Sequence, residues 1–184
     1  ITFYFGAIKA QDTINITEFG YIPNSHINAV PFVKKAIAAC KNKKEITLIF
    51  PKGRYDFWPQ YSEEKKYYES NTDVIPLRRC PILIEGCKNL TIDFMDADLI
   101  CHDRMQPITI DSSENITIKN VSIDWDVPLM GQGEITVVGA NYIDVQITPE
   151  SSFKIENGKI FFIGEGWKSE LSDIMEFDKE TKFI

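Results

Sequence analysis

PILIEGCKNLTI occupies residues 81–92, and PITIDSSENITI occupies residues 107–118. The two stretches lie twenty-six residues apart and share Pro81/Pro107, Ile82/Ile108, Ile84/Ile110, Asn89/Asn115, Thr91/Thr117 and Ile92/Ile118. Glu85/Asp111 and Leu90/Ile116 keep their chemical character. Within each copy the apolar residues alternate, which is the period of a strand with one buried face. Short strands are expected to begin near residues 82, 90, 98, 108, 116 and 123. A sandwich could hold strands at this spacing, but it has no reason to repeat a twelve-residue text. A solenoid does, because each coil stacks on the environment of the previous one.

The repeat therefore predicts a mainly β chain whose first part is a right-handed parallel β-helix with matching isoleucines turned inward. Asn89 and Asn115 are expected to stack at equivalent turns and share side-chain amide hydrogen bonds. Earlier in the chain, Ile46, Thr47, Leu48 and Phe50 match Leu90, Thr91, Ile92 and Phe94. NAVPFVKKAIAACKNKK (28–44) carries Ala29, Phe32, Val33, Ala36, Ile37 and Cys40 at helical spacing. Asn28 is placed to cap that helix and Pro31 is tolerated in its first turn, so an N-terminal cap helix is expected over the first coil. After Asp126-Val127-Pro128 the echo stops. GEITVVGANYIDVQIT (133–148) reads as two strands, and FKIENGKIFFIG (153–164) as a hairpin turning at Asn157-Gly158. The expected organisation is a possible signal-peptide remnant in 1–10, cap and first coils in 11–128, and an inserted antiparallel barrel or sandwich segment in 129–184.

Composition narrows the classes. A net charge of −7 with scattered Lys and Arg argues against nucleic acid as a partner. Cys40, Cys80, Cys87 and Cys101 have no metal-ligand spacing, and buried free thiols are expected. Ile1–Ile8 is mostly apolar and Ala10 precedes Gln11-Asp12, which reads as the tail of an export signal. No stretch has the apolar length of a membrane span.

Several residue groups carry possible chemistry. Asp124-Trp125-Asp126 offers two carboxylates and an aromatic ring at a strand end, suited to hydroxyl bonding and sugar stacking. The two aspartates lie close together on one face of the strand, and an anchoring role competes. His102-Asp103-Arg104 could assist proton transfer or hold a sugar hydroxyl, against the plainer reading of a solvated loop. Tyr55, Phe57, Trp58, Tyr61, Tyr67 and Tyr68 read as an aromatic loop, either binding sugar or packing back as cover. Glu63-Glu64-Lys65-Lys66 reads as a solvated helical turn.

TLIFPKGRY (47–55) resembles the N-terminal cap of pectate-lyase-like β-helices. SNTDVIPLR (70–78), ICHDRMQPITI (100–110), ENITIKNVSIDWDVPL (114–129) and GEITVV (133–138) together resemble glycoside hydrolase family 110, the bacterial exo-acting α-1,3-galactosidases. That resemblance implies inverting removal of terminal α-1,3-linked galactose, as in blood group B type glycans, without metal or cofactor. One carboxylic acid would protonate the leaving oxygen and another carboxylate would activate water, roughly 6.5 to 9.5 Å apart. It implies catalytic aspartates on later coils. The substrate-binding candidates Asp124, Trp125, Asp126, His102 and Arg104 come from the reading of the residues themselves. Two rival expectations remain. One is a different β-helix glycosidase or a polysaccharide lyase, disfavoured by the lack of a basic groove. The other is a non-catalytic, glycan-binding solenoid.

Overall fold

The structure is a computed structural model that describes residues 12–68 and 76–183. The expected signal remnant (1–10) and the whole of SNTDV (70–74) lie outside the described residues. The chain divides into two compact units, with the boundary between Asp126 and Val127.

The first unit opens with β1 (Asp12–Asn15) and a single 3-10 turn (Ile16–Phe19). Helix α1 (Val30–Cys40) follows. Pro31 sits in the first turn, as the sequence suggested, but the N-cap position is Ala29 rather than Asn28, whose Oδ1 accepts from Val30 N at 3.2 Å from one position earlier. The helix buries Val30, Val33, Ala36, Ile37 and Cys40. Strands β2 (Ile46–Ile49), β3 (Arg54–Phe57), β4 (Glu63–Lys66), β5 (Leu77–Cys80) and β6 (Ile82–Glu85) come next. The unit closes with β7 (Lys88–Cys101), β8 (Ile108–Asp111) and β9 (Glu114–Trp125).

The repeated text sets the register. Ile82 and Ile84 of β6 pair with Ile108 and Ile110 of β8, in parallel. Leu90, Thr91 and Ile92 of β7 pair with Ile116, Thr117 and Ile118 of β9 on one side and with Ile46, Thr47 and Leu48 of β2 on the other. Phe50 meets Phe94 with ring centroids 4.5 Å apart. Asn115 Nδ2 donates to Asn89 Oδ1 at 2.9 Å, and Asn89 Nδ2 donates to Lys44 O at 3.0 Å. Both asparagines have positive φ, a conformation their short polar side chains tolerate.

The expected right-handed parallel β-helix is nevertheless not the fold. The strands fall into short sheets of both senses. β1, β2, β7, β3 and β9 form one parallel sheet and β6–β8 another, whereas β4–β5 is an antiparallel pair. The two copies of the repeat also differ in environment. Ile82, Ile84, Leu90 and Ile92 are buried, but Ile110 is 50% exposed and Ile108, Ile116 and Ile118 are half-buried. Hydrogen bonding along a parallel ladder fixes which residues pair. It does not supply the layer that would cover the second copy's apolar face.

Two local expectations are corrected as well. Glu63–Lys66 is strand β4, not a helical turn, with half-buried Glu63 and Lys65 alternating with exposed Glu64 and Lys66. Tyr55 and Phe57 belong to β3 and to the core rather than to an aromatic loop. The four cysteines are buried free thiols.

The second unit is antiparallel. β10 (Gly133–Val138) pairs with β11 (Ile143–Ile147), with a bulge between Ile135 and Val137. β12 (Ser152–Glu156), β13 (Lys159–Gly164) and β14 (Trp167–Glu170) form a three-stranded meander. Asn157 and Gly158 turn the β12–β13 hairpin, both at positive φ, as the type I′ geometry requires. Among the described residues, no helix is long and apolar enough to cross a membrane.

Candidate functional site

The candidate site grows from β3. Its four residues, Arg54-Tyr55-Asp56-Phe57, are too few and too closely packed to hide a charge cheaply, yet Asp56 is fully buried. Alternation puts Arg54 and Asp56 on one face, with Tyr55 and Phe57 on the other. Asp56 is held by its backbone too: its carbonyl accepts from Ala29 N at 2.8 Å, just ahead of α1.

The ladder brings the remaining residues in. Phe57, Cys101 and Trp125 are register partners across β3, β7 and β9. Backbone bonds continue one residue further, from His102 N to Phe57 O at 2.9 Å and from Asp126 N to Cys101 O at 3.2 Å. Trp58, His102 and Asp126 therefore form the next row. Trp58 stacks on His102 with centroids 3.9 Å apart and planes 9° apart.

Side chains join the rows. Arg54 donates to Asp56 Oδ1 through Nε at 2.9 Å and Nη2 at 2.6 Å. Arg54 Nη2 also reaches Asp126 Oδ1 at 2.7 Å. His102 Nε2 lies 3.0 Å from Asp56 Oδ1, and His26 Nδ1 lies 3.3 Å from Asp56 Oδ2. The chain has two histidines, and both meet this one carboxyl group.

Burial works against the charge on Asp56, but hydrogen bonds from Arg54 and then His102 outweigh it and hold its pKa below the usual carboxylate range. The same bonds to Asp56 and Asp126 raise the pKa of Arg54, which stays cationic. Burial pushes the Cys101 thiol up to about 12, so it is not a thiolate nucleophile beside His102. An ionised Asp56 locked to Arg54 is likewise unsuited to general-acid work, which needs a raised pKa. The arrangement is built to hold and orient hydrogen-bonding groups.

Of the residues singled out in the sequence, His102 and Asp126 join this network. Trp125 is anchored beside it by its ring N–H, which donates to Asp103 O at 3.0 Å. Asp124 is exposed and its Oδ1 accepts from Trp125 N at 2.8 Å. Arg104 is exposed, with its backbone N–H donating to Asp103 Oδ1 at 2.6 Å. Sequence reasoning missed Arg54, Asp56 and His26, and noticed Trp58 only as one member of an aromatic loop. The available signal was a lone acid between two aromatics in a short strand, with an arginine two positions earlier on the same face.

Residues 131–184 match the family described as GLAA-B beta-barrel domain I. The chain is 46% identical over 179 residues to alpha-1,3-galactosidase B of Bacteroides thetaiotaomicron, covering 97% of this chain and 29% of that protein. It is 37% identical to alpha-1,3-galactosidase A of Shewanella woodyi, covering 96% of this chain and 29% of that protein. It is 32% identical to alpha-1,3-galactosidase A of Bacteroides fragilis, covering 97% and 31% respectively. The chain thus spans under a third of the length of these curated relatives.

Proposed function

We propose that this chain is part of a glycoside hydrolase of family 110 that removes terminal α-1,3-linked galactose from glycans. The observation that carries the reading is the 46% identity, over 97% of the chain, to a protein named alpha-1,3-galactosidase B. Catalysis is inverting, by two carboxyl groups contributed by parts of the enzyme outside residues 1–184. The Arg54-bound carboxylates support this division of labour, since neither Asp56 nor Asp126 is free of a cation. Asp124, Trp125, Asp126, His102 and Arg104 are proposed to contact or support the contact with the glycan. The apolar run Ile1–Ile8, followed by Ala10, supports action outside the cytoplasm.

The test is to produce a polypeptide carrying this segment at the full length of its relatives and incubate it with a terminal α-1,3-galactoside. Release of galactose with inversion at the anomeric carbon, followed by NMR, is the expected result. Binding of the glycan with no release would favour a non-catalytic glycan-binding protein. Release of an unsaturated product would favour a lyase.

A further inference from the structure

Arg54 is fixed on one side and available on the other. Asp56, fully buried, engages Nε and Nη2 and so sets the plane of the guanidinium. Nη2 is shared with Asp126. Arg54 is 31% exposed and Asp126 43% exposed, so this half of the network reaches solvent. Apolar side chains could fill the place of a buried ion pair without its desolvation cost, and perturbed charged clusters gather at functional sites.

We propose that Arg54 and Asp126 form a binding pair for a neutral hexose with adjacent hydroxyls, and that Asp56 is the positioning residue that aims Arg54. The proposal rests on the glycan reading above and adds the residues that would recognise the sugar. Three features set the ligand class. The network holds one arginine and two aspartates, a net negative charge that disfavours acidic sugars and phosphates. A guanidinium beside a carboxylate offers donors next to acceptors, and each of two neighbouring hydroxyls can accept from one and donate to the other. Apolar ring surface is at hand. Trp58 is tied to the network through His102, and Trp125 directly precedes Asp126 with its ring nitrogen fixed on Asp103 O.

The experiment uses the 184-residue chain. Its three tryptophans, Trp58, Trp125 and Trp167, give three indole N–H signals in a nitrogen–proton correlation spectrum. Titration with methyl α-D-galactopyranoside at millimolar concentration is expected to shift the Trp58 and Trp125 signals and leave Trp167 in place. Galacturonate should bind at least about tenfold more weakly, because like charge opposes it. Arg54→Lys keeps a cation for Asp56 but loses the planar fork, and should weaken galactoside binding about tenfold or more. Asp126→Asn should weaken it comparably; as an exposed residue it decides the matter if Arg54→Lys fails to fold.

Asp56→Asn should move the Arg54 Nε–H resonance, which reports the bond to Asp56, and lower affinity with it. Affinity kept in Asp56→Asn, with only the melting temperature lowered, would reduce Asp56 to a structural residue and overturn its positioning role. No tryptophan shift in the unaltered chain, or full binding in both Arg54→Lys and Asp126→Asn, overturns the site. Galactose release by the longer enzyme without binding here sinks this site alone. Binding here without release sinks the hydrolase reading alone.

Discussion

The two units use similar residue types to opposite effect. In the first, Ile16, Leu48, Phe50, Tyr55, Ile84, Ile92, Phe94 and their neighbours form a continuous buried core. In the second, Ser151 is the sole buried residue among those described, and Val138, Phe153 and Ile155 are exposed. Yet the β12–β14 ladders of the second unit are regular and the hairpin turn is well chosen. Hydrogen-bonded pairing and core formation are therefore separable. A meander satisfies its backbone locally, whereas a core needs a second apolar layer from elsewhere in the chain. The sheet faces show this directly. Phe153, Ile155, Ile160, Phe162 and Trp167 share one face of β12–β14 by register. On the other face Lys168 pairs with Glu156 and Lys159 with Glu170.

The largest expected contrast is between one side chain from each unit. Phe94→Ala should destabilise the first unit by about 3 to 5 kcal/mol, the usual cost of emptying an aromatic site. Ile155→Ala, at 68% exposure, should stay within about 0.5 kcal/mol. Urea melts of both variants measure the difference. A large loss for Ile155→Ala would break the comparison, because it would mean that the second unit does bury this face.

Next comes Asp56→Asn, which leaves Arg54 and both histidines without their shared anion. Removing one partner of a buried pair costs about 3 to 5 kcal/mol, and partial exposure of Arg54 together with its bond to Asp126 brings the expectation to about 2. The pH dependence follows from the lowered pKa of Asp56. The ionised form is favoured more in the folded chain than in the unfolded one. Its contribution is complete above the unfolded value of about 3.9 and is lost as pH falls through the lower folded value. The stability gap between the unaltered chain and Asp56→Asn should therefore hold from neutral pH to about 5 and close below about 4. A gap that closed near neutrality would break this account of Asp56.

The smallest effect sharpens the account of the ladder. Asn115→Ala removes the bond to Asn89 and places alanine at positive φ, for an expected loss of about 1 kcal/mol. Asn115→Gly relieves the backbone strain, so its loss relative to Ala isolates the conformational part in a thermal melt.

Much of the pairing was legible because it was written twice. Thr91 faces Thr117 and Asn89 bonds Asn115 because the sequence repeats at the spacing at which the strands stack. Helix α1 and the Asn157-Gly158 turn were equally plain, since helical spacing and positive φ are local properties. The fold class was not legible. The text at Ile84 and Ile110 is identical, but the two residues differ in burial, because the cover over each belongs to other parts of the chain. Glu63–Lys66 misled for the same reason, as its charge spacing suits a helical turn in isolation and only β5 makes it a strand. Within the site, His102 and Asp126 drew notice as polar residues near strand ends, but Asp56 looked like one acid among many.

The sequence by itself determined the register of the repeated strands, the helix and the hairpin, since the first depends on the match between two copies and the other two on local spacing. The tertiary structure alone decided which apolar faces are covered and that Arg54, Asp56, His26, His102 and Asp126 meet. Those five residues come from segments separated by up to a hundred positions in the chain and share no period. Their convergence is a property of how the rows stack end to end, and burial around a charge is set by every element that closes over it.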